Sequence, residues 1–289
     1  MAKKVEVDHV TGVETTGHEW DGIKELNKPL PRWWLWTFYV SIIWAIGYMV
    51  AYPAWPTLTD YTKGMLGYSQ RATVAADVKR GQEGQAAFRK DLEATALKDI
   101  KAKPELQRFA MTAGGVSFQT NCAPCHGRGA QGFVGYPNLN DDDWIWGGKI
   151  EDIHETILYG IRNEHKKSRT NQMPRYGIEG ILTDAQISDV ADYVMSLSGK
   201  AAAQDVKDRG QKVYADNCAA CHGDKGQGIV EQGAPNLIDG IWLYGGDRAQ
   251  VVESIRTGRG GSMPSWVGRL DPVTLKSLAV YVHSLGGGK

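Results

Sequence analysis

At 289 residues the chain has room for about two domains. Lysine and arginine together number 33, as do aspartate and glutamate, so the net charge is zero and excludes a global field for nucleic acid or anionic lipid. Ten Trp and thirty-five Gly stand out of an otherwise ordinary globular composition, which excludes disorder and collagen-like repeats.

Residues 1–32 are polar, and from Trp33 to Thr59 there is no charged residue. A bilayer-spanning helix needs roughly 20 mostly apolar residues. The run through Ile42-Ile43-Trp44-Ala45-Ile46 meets that need, with Trp33, Trp34, Tyr52 and Trp55 as interfacial aromatics. Pro53 and Pro56 stop the helix, so residues 33–55 are assigned to the membrane. A cleaved signal peptide would sit at the extreme N-terminus, and a core helix is rarely apolar on every face. Lys3, Lys4, Lys24, Lys28 and Arg32 precede the span, and only Lys63 and Arg71 follow it closely. Positive-inside then puts residues 1–32 in the cytoplasm and the rest in the periplasm.

Residues 56–108 read as a periplasmic linker, partly helical. Phe88, Leu92, Ala96 and Ile100 recur every four residues, which gives one amphipathic face. That stretch is either a spacer, which lies against a partner or holds the C-terminal part of the chain off the membrane, or a solvated helical linker.

The remainder is one unit used twice. Gly114-x-x-x-Phe118 precedes Cys122 as Gly210-x-x-x-Tyr214 precedes Cys218. Pro137-Asn138-Leu139 matches Pro235-Asn236-Leu237, and Trp144-Ile145-Trp146-Gly147-Gly148 matches Trp242-Leu243-Tyr244-Gly245-Gly246. Met173-Pro174 matches Met263-Pro264, and Tyr193 to Leu197 matches Tyr281 to Leu285. The expected fold is all-α: one N-terminal transmembrane helix, then two tandem domains, 109–199 and 205–287. Each resembles a class I cytochrome c domain. Ile187, Val190, Val194 and Leu197 share one helix face, as do Leu275, Leu278, Val282 and Leu285.

All four cysteines lie in Cys122-Ala123-Pro124-Cys125-His126 and Cys218-Ala219-Ala220-Cys221-His222. C-x-x-C-H is the pattern of covalent c-type haem attachment. Residues three and four apart share a helix face, so both sulfurs reach one porphyrin while the histidine faces the iron. Zinc ribbons place their second C-x-x-C about 15–20 residues on; here Cys125 and Cys218 are 93 apart. Two covalently bound haem c groups are therefore expected, on Cys122, Cys125 and His126 and on Cys218, Cys221 and His222.

Met173 and Met263 lie 47 and 41 residues after the histidines. They recur at one point of the repeat, each before a proline, and are the candidate sixth ligands. Thioether sulfur favours ferrous iron, and two filled axial positions leave no room for oxygen. In-domain pairing, His126 with Met173 and His222 with Met263, is the default; a crossed arrangement uses the same four residues. The carbonyls of Pro137 and Pro235 are candidates to hold the histidine rings. Trp144 and Trp242 are candidates for haem carboxylates. Tyr193 and Tyr281 sit either on the porphyrin edge or in the core. His9, His18, His154, His165 and His283 have no repeat partner and are not expected to be ligands. From Trp144 to Met173 the first unit is eight residues longer than the second is from Trp242 to Met263, over 162–169, which reads as a solvated basic loop or a docking loop for an acidic partner.

The N-terminal run Thr15-Thr16-Gly17-His18-Glu19-Trp20-Asp21-Gly22-Ile23, continuing to Pro29-Leu30-Pro31-Arg32-Trp33-Trp34, resembles the start of CcoP (FixP), the di-haem subunit III of bacterial cbb3-type cytochrome c oxidase. The anchor and both haem units follow in that family's order. The resemblance implies an electron-transfer subunit of the bacterial inner membrane that is not an enzyme on its own. It implies electrons taken from a donor cytochrome c and passed through two haems to the mono-haem subunit CcoO. From there they reach CcoN, which reduces oxygen and moves protons. The alternatives are a free-standing anchored electron shuttle, a di-haem peroxidase, which needs an open iron, and a gas sensor, for which no output domain is found.

Overall fold

The computed structural model describes residues 6–286. The chain divides into two compact units, one ending at Glu83 and the other starting at Gly84.

In the first unit, β1 (Thr15–Trp20) and β2 (Ile23–Leu26) form an antiparallel hairpin that pairs Trp20 with Ile23 and Glu19 with Lys24. Its two turn residues, Asp21 and Gly22, both have positive φ (48° and 86°). That is the tight turn whose twist matches the strands. The all-α expectation did not include this hairpin, although Asp-Gly between short β-prone runs is its local signal.

Helix α1 (Arg32–Ala51) is the apolar span, with no buried residue around its circumference. It ends four residues before the expected 55 because Tyr52, ahead of Pro53, is extended (φ −113°, ψ 163°). The chain then turns back on the helix end. Met65 N–H donates to Val50 O (3.0 Å) and Leu66 N–H to Ala51 O (3.0 Å), which satisfies carbonyls that a helix end leaves without partners.

Helix α2 (Gln70–Ala94) carries the chain into the second unit. There its last turns are neither spacer nor solvated linker. Phe88 stacks on Phe109 at 5.3 Å. Leu92 and Ile100 are fully buried with Leu106, Ala110, Val273 and Val280. Ile100 closes the short α3 (Leu97–Ile100), set off by a break at Thr95 and Ala96. The Lys276 ammonium donates to the carbonyls of Leu92 (3.2 Å), Glu93 (2.7 Å) and Thr95 (2.9 Å), capping the C-terminus of α2 with a cation, the sign its dipole favours.

The rest of this unit repeats one set of elements. Helix α4 (Pro104–Asn121), the single turn α5 (Ala123–His126) and α6 (Ile150–Tyr159) are followed by α7 (Asp184–Leu197). Then come α8 (Gln204–Asn217), the turn α9 (Ala219–His222), α10 (Arg248–Thr257) and α11 (Pro272–His283). Capping boxes start α7 at Thr183 and α10 at Asp247, and Asp271 caps α11.

The packing units are not the sequence units. Helix α11 packs on α4 and α6, whereas α7 packs on α8 and α10. One core joins Phe118, Ile153 and Ile157 to Leu275, Leu278, Ala279 and Val282. The other joins Ile187, Val190 and Val194 to Tyr214, Val251 and Ile255. Each repeat lends its last helix to the other, so contiguous domains at 109–199 and 205–287 do not describe the packing. The physical reason is connection length: only residues 198–203 separate α7 from α8, and short links make consecutive helices neighbours. Both crossings need a glycine. A Cβ on Gly114 would overlap the Ser277 carbonyl and come within 2.7 Å of Tyr281 Cβ. One on Gly210 would overlap the Asp189 carbonyl and come within 2.7 Å of Tyr193 Cβ.

Candidate haem centres

Cys122 is at once the C-cap of α4 and the N-cap of α5, so the whole C-x-x-C-H run is one helical turn. Cys125 N–H donates to Cys122 O (3.1 Å) and His126 N–H to the same oxygen (2.9 Å). The second turn repeats this at Cys221 (3.1 Å) and His222 (2.9 Å) on Cys218 O. Gly127 (φ 80°) and Gly223 (φ 79°) end the turns in a backbone conformation that side-chain-bearing residues avoid.

Each histidine ring is fixed from behind. His126 Nδ1 lies 3.1 Å from Pro137 O, and His222 Nδ1 lies 3.0 Å from Pro235 O. A carbonyl accepts only, so Nδ1 carries the proton and Nε2 keeps its lone pair for a metal. Burial pulls both imidazoles below their ordinary value, with the carbonyl bond opposing it. Burial thus favours a neutral ring and the carbonyl a fixed tautomer, the form in which imidazole binds iron.

The four sulfurs form no disulfide. Burial, then the neighbouring Cys125, pushes the Cys122 thiol up to about 11. Burial, then Cys221, pushes the Cys218 thiol up to about 12. Burial thus favours an uncharged sulfur at both positions, and no cluster of three or more His, Cys, Asp or Glu occurs among the described residues. A thioether is neutral at any pH, so the same burial suits sulfur bonded to a porphyrin.

Both methionines sit on the partly buried edge of a core, each beside the other repeat's cysteine. Met263 packs in the core that includes Cys122 and Trp144; Met173 packs in the core that includes Cys218 and Trp242. Met263 is hung from the end of α6 through a two-way backbone bridge. Ile161 N–H donates to Met263 O (3.0 Å) and Met263 N–H to Ile161 O (2.9 Å). Asn163 Nδ2 adds a bond to Met263 O (2.7 Å). Met173 is held against the end of α10. A Cβ on Gly258 would meet Met173 O at 2.5 Å, and Gln172 Nε2 donates to Gly258 O (3.2 Å). The default of His126 with Met173 and His222 with Met263 is thus at odds with the packing. The reason is the helix exchange, because each methionine precedes the helix its repeat gives away.

The remaining donors also fit a porphyrin. Trp144 Nε1 is buried without a hydrogen-bond partner among the described residues, as an indole reserved for a haem carboxylate would be. Tyr281 packs on Phe118 (5.4 Å) and Tyr193 on Tyr214 (5.3 Å), which puts both tyrosines in helix crossings. His165 stacks on Tyr159 at 5.0 Å, and His154 is half-buried on α6.

Sequence reasoning missed two arginines. Arg169 lies over the Trp146 ring (5.3 Å), and Arg259 over the Tyr244 ring (5.6 Å). Arg169 Nε is also buried without a partner among the described residues. Their signal was available: each stands four residues before its methionine. The 162–169 loop is not simply solvated, since Ser168 is buried and Arg162 half-buried.

Three known families match the chain. Residues 12–59 match the N-terminal domain of cytochrome oxidase-cbb3, FixP, and residues 111–198 match cytochrome c. Residues 205–282 match cytochrome c oxidase, cbb3-type, subunit III. Among full-length relatives, the Cbb3-type cytochrome c oxidase subunit FixP of Bradyrhizobium sp. (strain ORS 278) is 54% identical over 290 residues, covering 100% of both chains. The Cbb3-type cytochrome c oxidase subunit CcoP of Cereibacter sphaeroides is 52% identical over 276 residues, covering 95% of each. That of Azospirillum brasilense is 50% identical over 296 residues, covering 100% of each.

Proposed function

Because the chain belongs to the FixP/CcoP family of cbb3-type cytochrome c oxidase subunits, we propose that it relays single electrons through two His–Met haems of crossed ligation. It is an electron-transfer subunit of an oxidoreductase complex, with two cytochrome c domains and two covalently bound haem c groups. Its N-terminal apolar helix suits membrane association.

In the proposed arrangement, Cys122, Cys125 and His126 hold one haem and Met263 supplies its sixth ligand. Cys218, Cys221 and His222 hold the other, with Met173 as its sixth ligand. The observation that carries this reading is the Ile161–Met263 backbone bridge. It ties the second repeat's methionine to the helix that comes after the first repeat's cysteines. Haem iron supplies the one-electron redox chemistry. The protein's share is to fix the histidine tautomer through Pro137 and Pro235 and to present a thioether. With a histidine nitrogen and a methionine sulfur both bound, each haem would exchange electrons and leave oxygen and peroxide no place to bind, which separates a carrier from a peroxidase.

Donor cytochrome c is the proposed electron source, and the mono-haem subunit CcoO the recipient, with oxygen reduced and protons moved at CcoN. The proposed setting is the bacterial inner membrane, with the N-terminus cytoplasmic and both haem domains periplasmic. Lys24, Lys28 and Arg32 before α1 support that orientation.

Purification of the full chain from its native membrane in mild detergent tests this. The expected result is co-elution with other oxidase subunits, haem that stays on the chain in denaturing gels, and no carbon monoxide binding by its reduced c-type haems. Elution of a haem-loaded chain by itself would favour a free shuttle, and carbon monoxide binding would favour a peroxidase.

A further inference from the structure

The 162–169 insertion occurs in the first repeat only, and its first residue turns inward. Arg162 has φ 47°, a left-handed backbone that an arginine adopts at a cost. Its main chain is locked on both sides: its N–H donates to Arg169 O (2.7 Å), and its carbonyl accepts from Ser262 Oγ (3.0 Å). Its side chain then forks. Nε donates to Gly261 O (2.6 Å) and Nη1 to Asn171 O (2.8 Å). Gly261 stands two residues before Met263, and Asn171 stands two residues before Met173. One guanidinium thus grips the same position of both methionine segments. The half-buried group has no carboxylate partner among the described residues, and a planar fork with fixed donors suits two carbonyls better than an ammonium would.

We propose that Arg162 is a positioning residue shared by the two centres, a clamp through which the sulfur ligation of both haems is set together. The proposal rests on the crossed-ligand reading. It makes the two redox couples dependent on one side chain that touches neither iron. Loosening a methionine segment weakens the ligand that favours ferrous iron. Removing a nearby cation acts in the same direction.

The test is a redox titration of the full haem-loaded chain, with the methionine-to-iron charge-transfer absorption of the ferric form recorded beside it. Arg162→Ala is expected to lower both couples, each by roughly tenfold in the ferrous/ferric ratio, or about 59 mV for one electron. Arg162→Lys keeps the cation and reaches only one carbonyl, so one couple recovers and the other does not. It also serves if the alanine variant does not fold. Two controls act on one centre each. Asn163→Ala removes the bond to Met263 O and moves only the haem on His126; Gln172→Ala removes the bond to Gly258 O and moves only the haem on His222. An Arg162→Ala chain in which one couple or neither moves, or an Arg162→Lys chain in which both recover fully, overturns the clamp. Absence of the charge-transfer absorption from the unsubstituted chain removes the ligand reading itself, and the clamp with it.

Discussion

Replacing Gly114 by alanine tests the α4–α11 crossing with one methyl group. The added Cβ would overlap the Ser277 carbonyl, and a backbone oxygen cannot rotate aside as a side chain would. Helices α4 and α11 must separate, which loosens contacts around Phe118 and Leu278, both fully buried. Overpacking of this kind costs up to about 3 kcal/mol, and loosened contacts forfeit part of their dispersion energy. Alanine's better helix propensity returns about 1 kcal/mol. The net loss is about 2 kcal/mol, which lowers the melting temperature of an interlocked unit near 200 residues by roughly 4–8 °C. Thermal unfolding of the haem-loaded chain, monitored by circular dichroism and haem absorbance, measures it. Gly81→Ala is the control, because its Cβ on α2 meets nothing within 4 Å and is expected to leave melting unchanged or raise it. Equal behaviour of the two variants would refute the close crossing.

Three further outcomes depend on particular side chains. Burial, then Asp239 and Asp141, pushes Asp143 up to about 6. The folded value is raised, so its penalty is absent below about pH 4, grows as pH rises through 6, and is complete above. Asp143→Asn should therefore stabilise the chain at pH 7 by about 1 kcal/mol, discounted for partial exposure, and change nothing at pH 4; an equal gain at both pH values rejects the account. Trp144→Phe keeps an aromatic, if smaller, ring and removes the unpartnered N–H. If that N–H holds a haem carboxylate, the haem-loaded chain loses about 1.5–3 kcal/mol, whereas an unchanged or higher melting temperature argues against the bond. Lys276→Ala frees three carbonyls at the end of α2, at a cost of about 1–2 kcal/mol. Amide exchange over residues 88–100 should accelerate, and unchanged exchange rules out the cap.

What sequence made legible was local chemistry. The Cys122 and Cys218 turns, the Pro137 and Pro235 carbonyls behind the histidines and the apolar helix α1 all come from short-range spacing. The exchange of α7 and α11 does not. Ile187, Val190 and Val194 form the same apolar face as Leu275, Leu278 and Val282, so either last helix satisfies either first helix. Only the short link between α7 and α8 separates the two solutions, and the repeat pattern outweighed it. The face of Phe88, Leu92 and Ile100 was legible, but not its partner, because Val273 and Val280 lie far along the chain. Arg162 was misread for a related reason. A basic run looks solvated unless the carbonyls of Gly261 and Asn171 are known to converge on it.

The ligand exchange is tested most directly by an experimental density map of the haem-loaded chain, resolved well enough to trace the main chain into each iron. The account predicts that the sulfur opposite His126 traces to Met263 and the one opposite His222 to Met173. Continuous density from the iron on His126 to Met173 would contradict it.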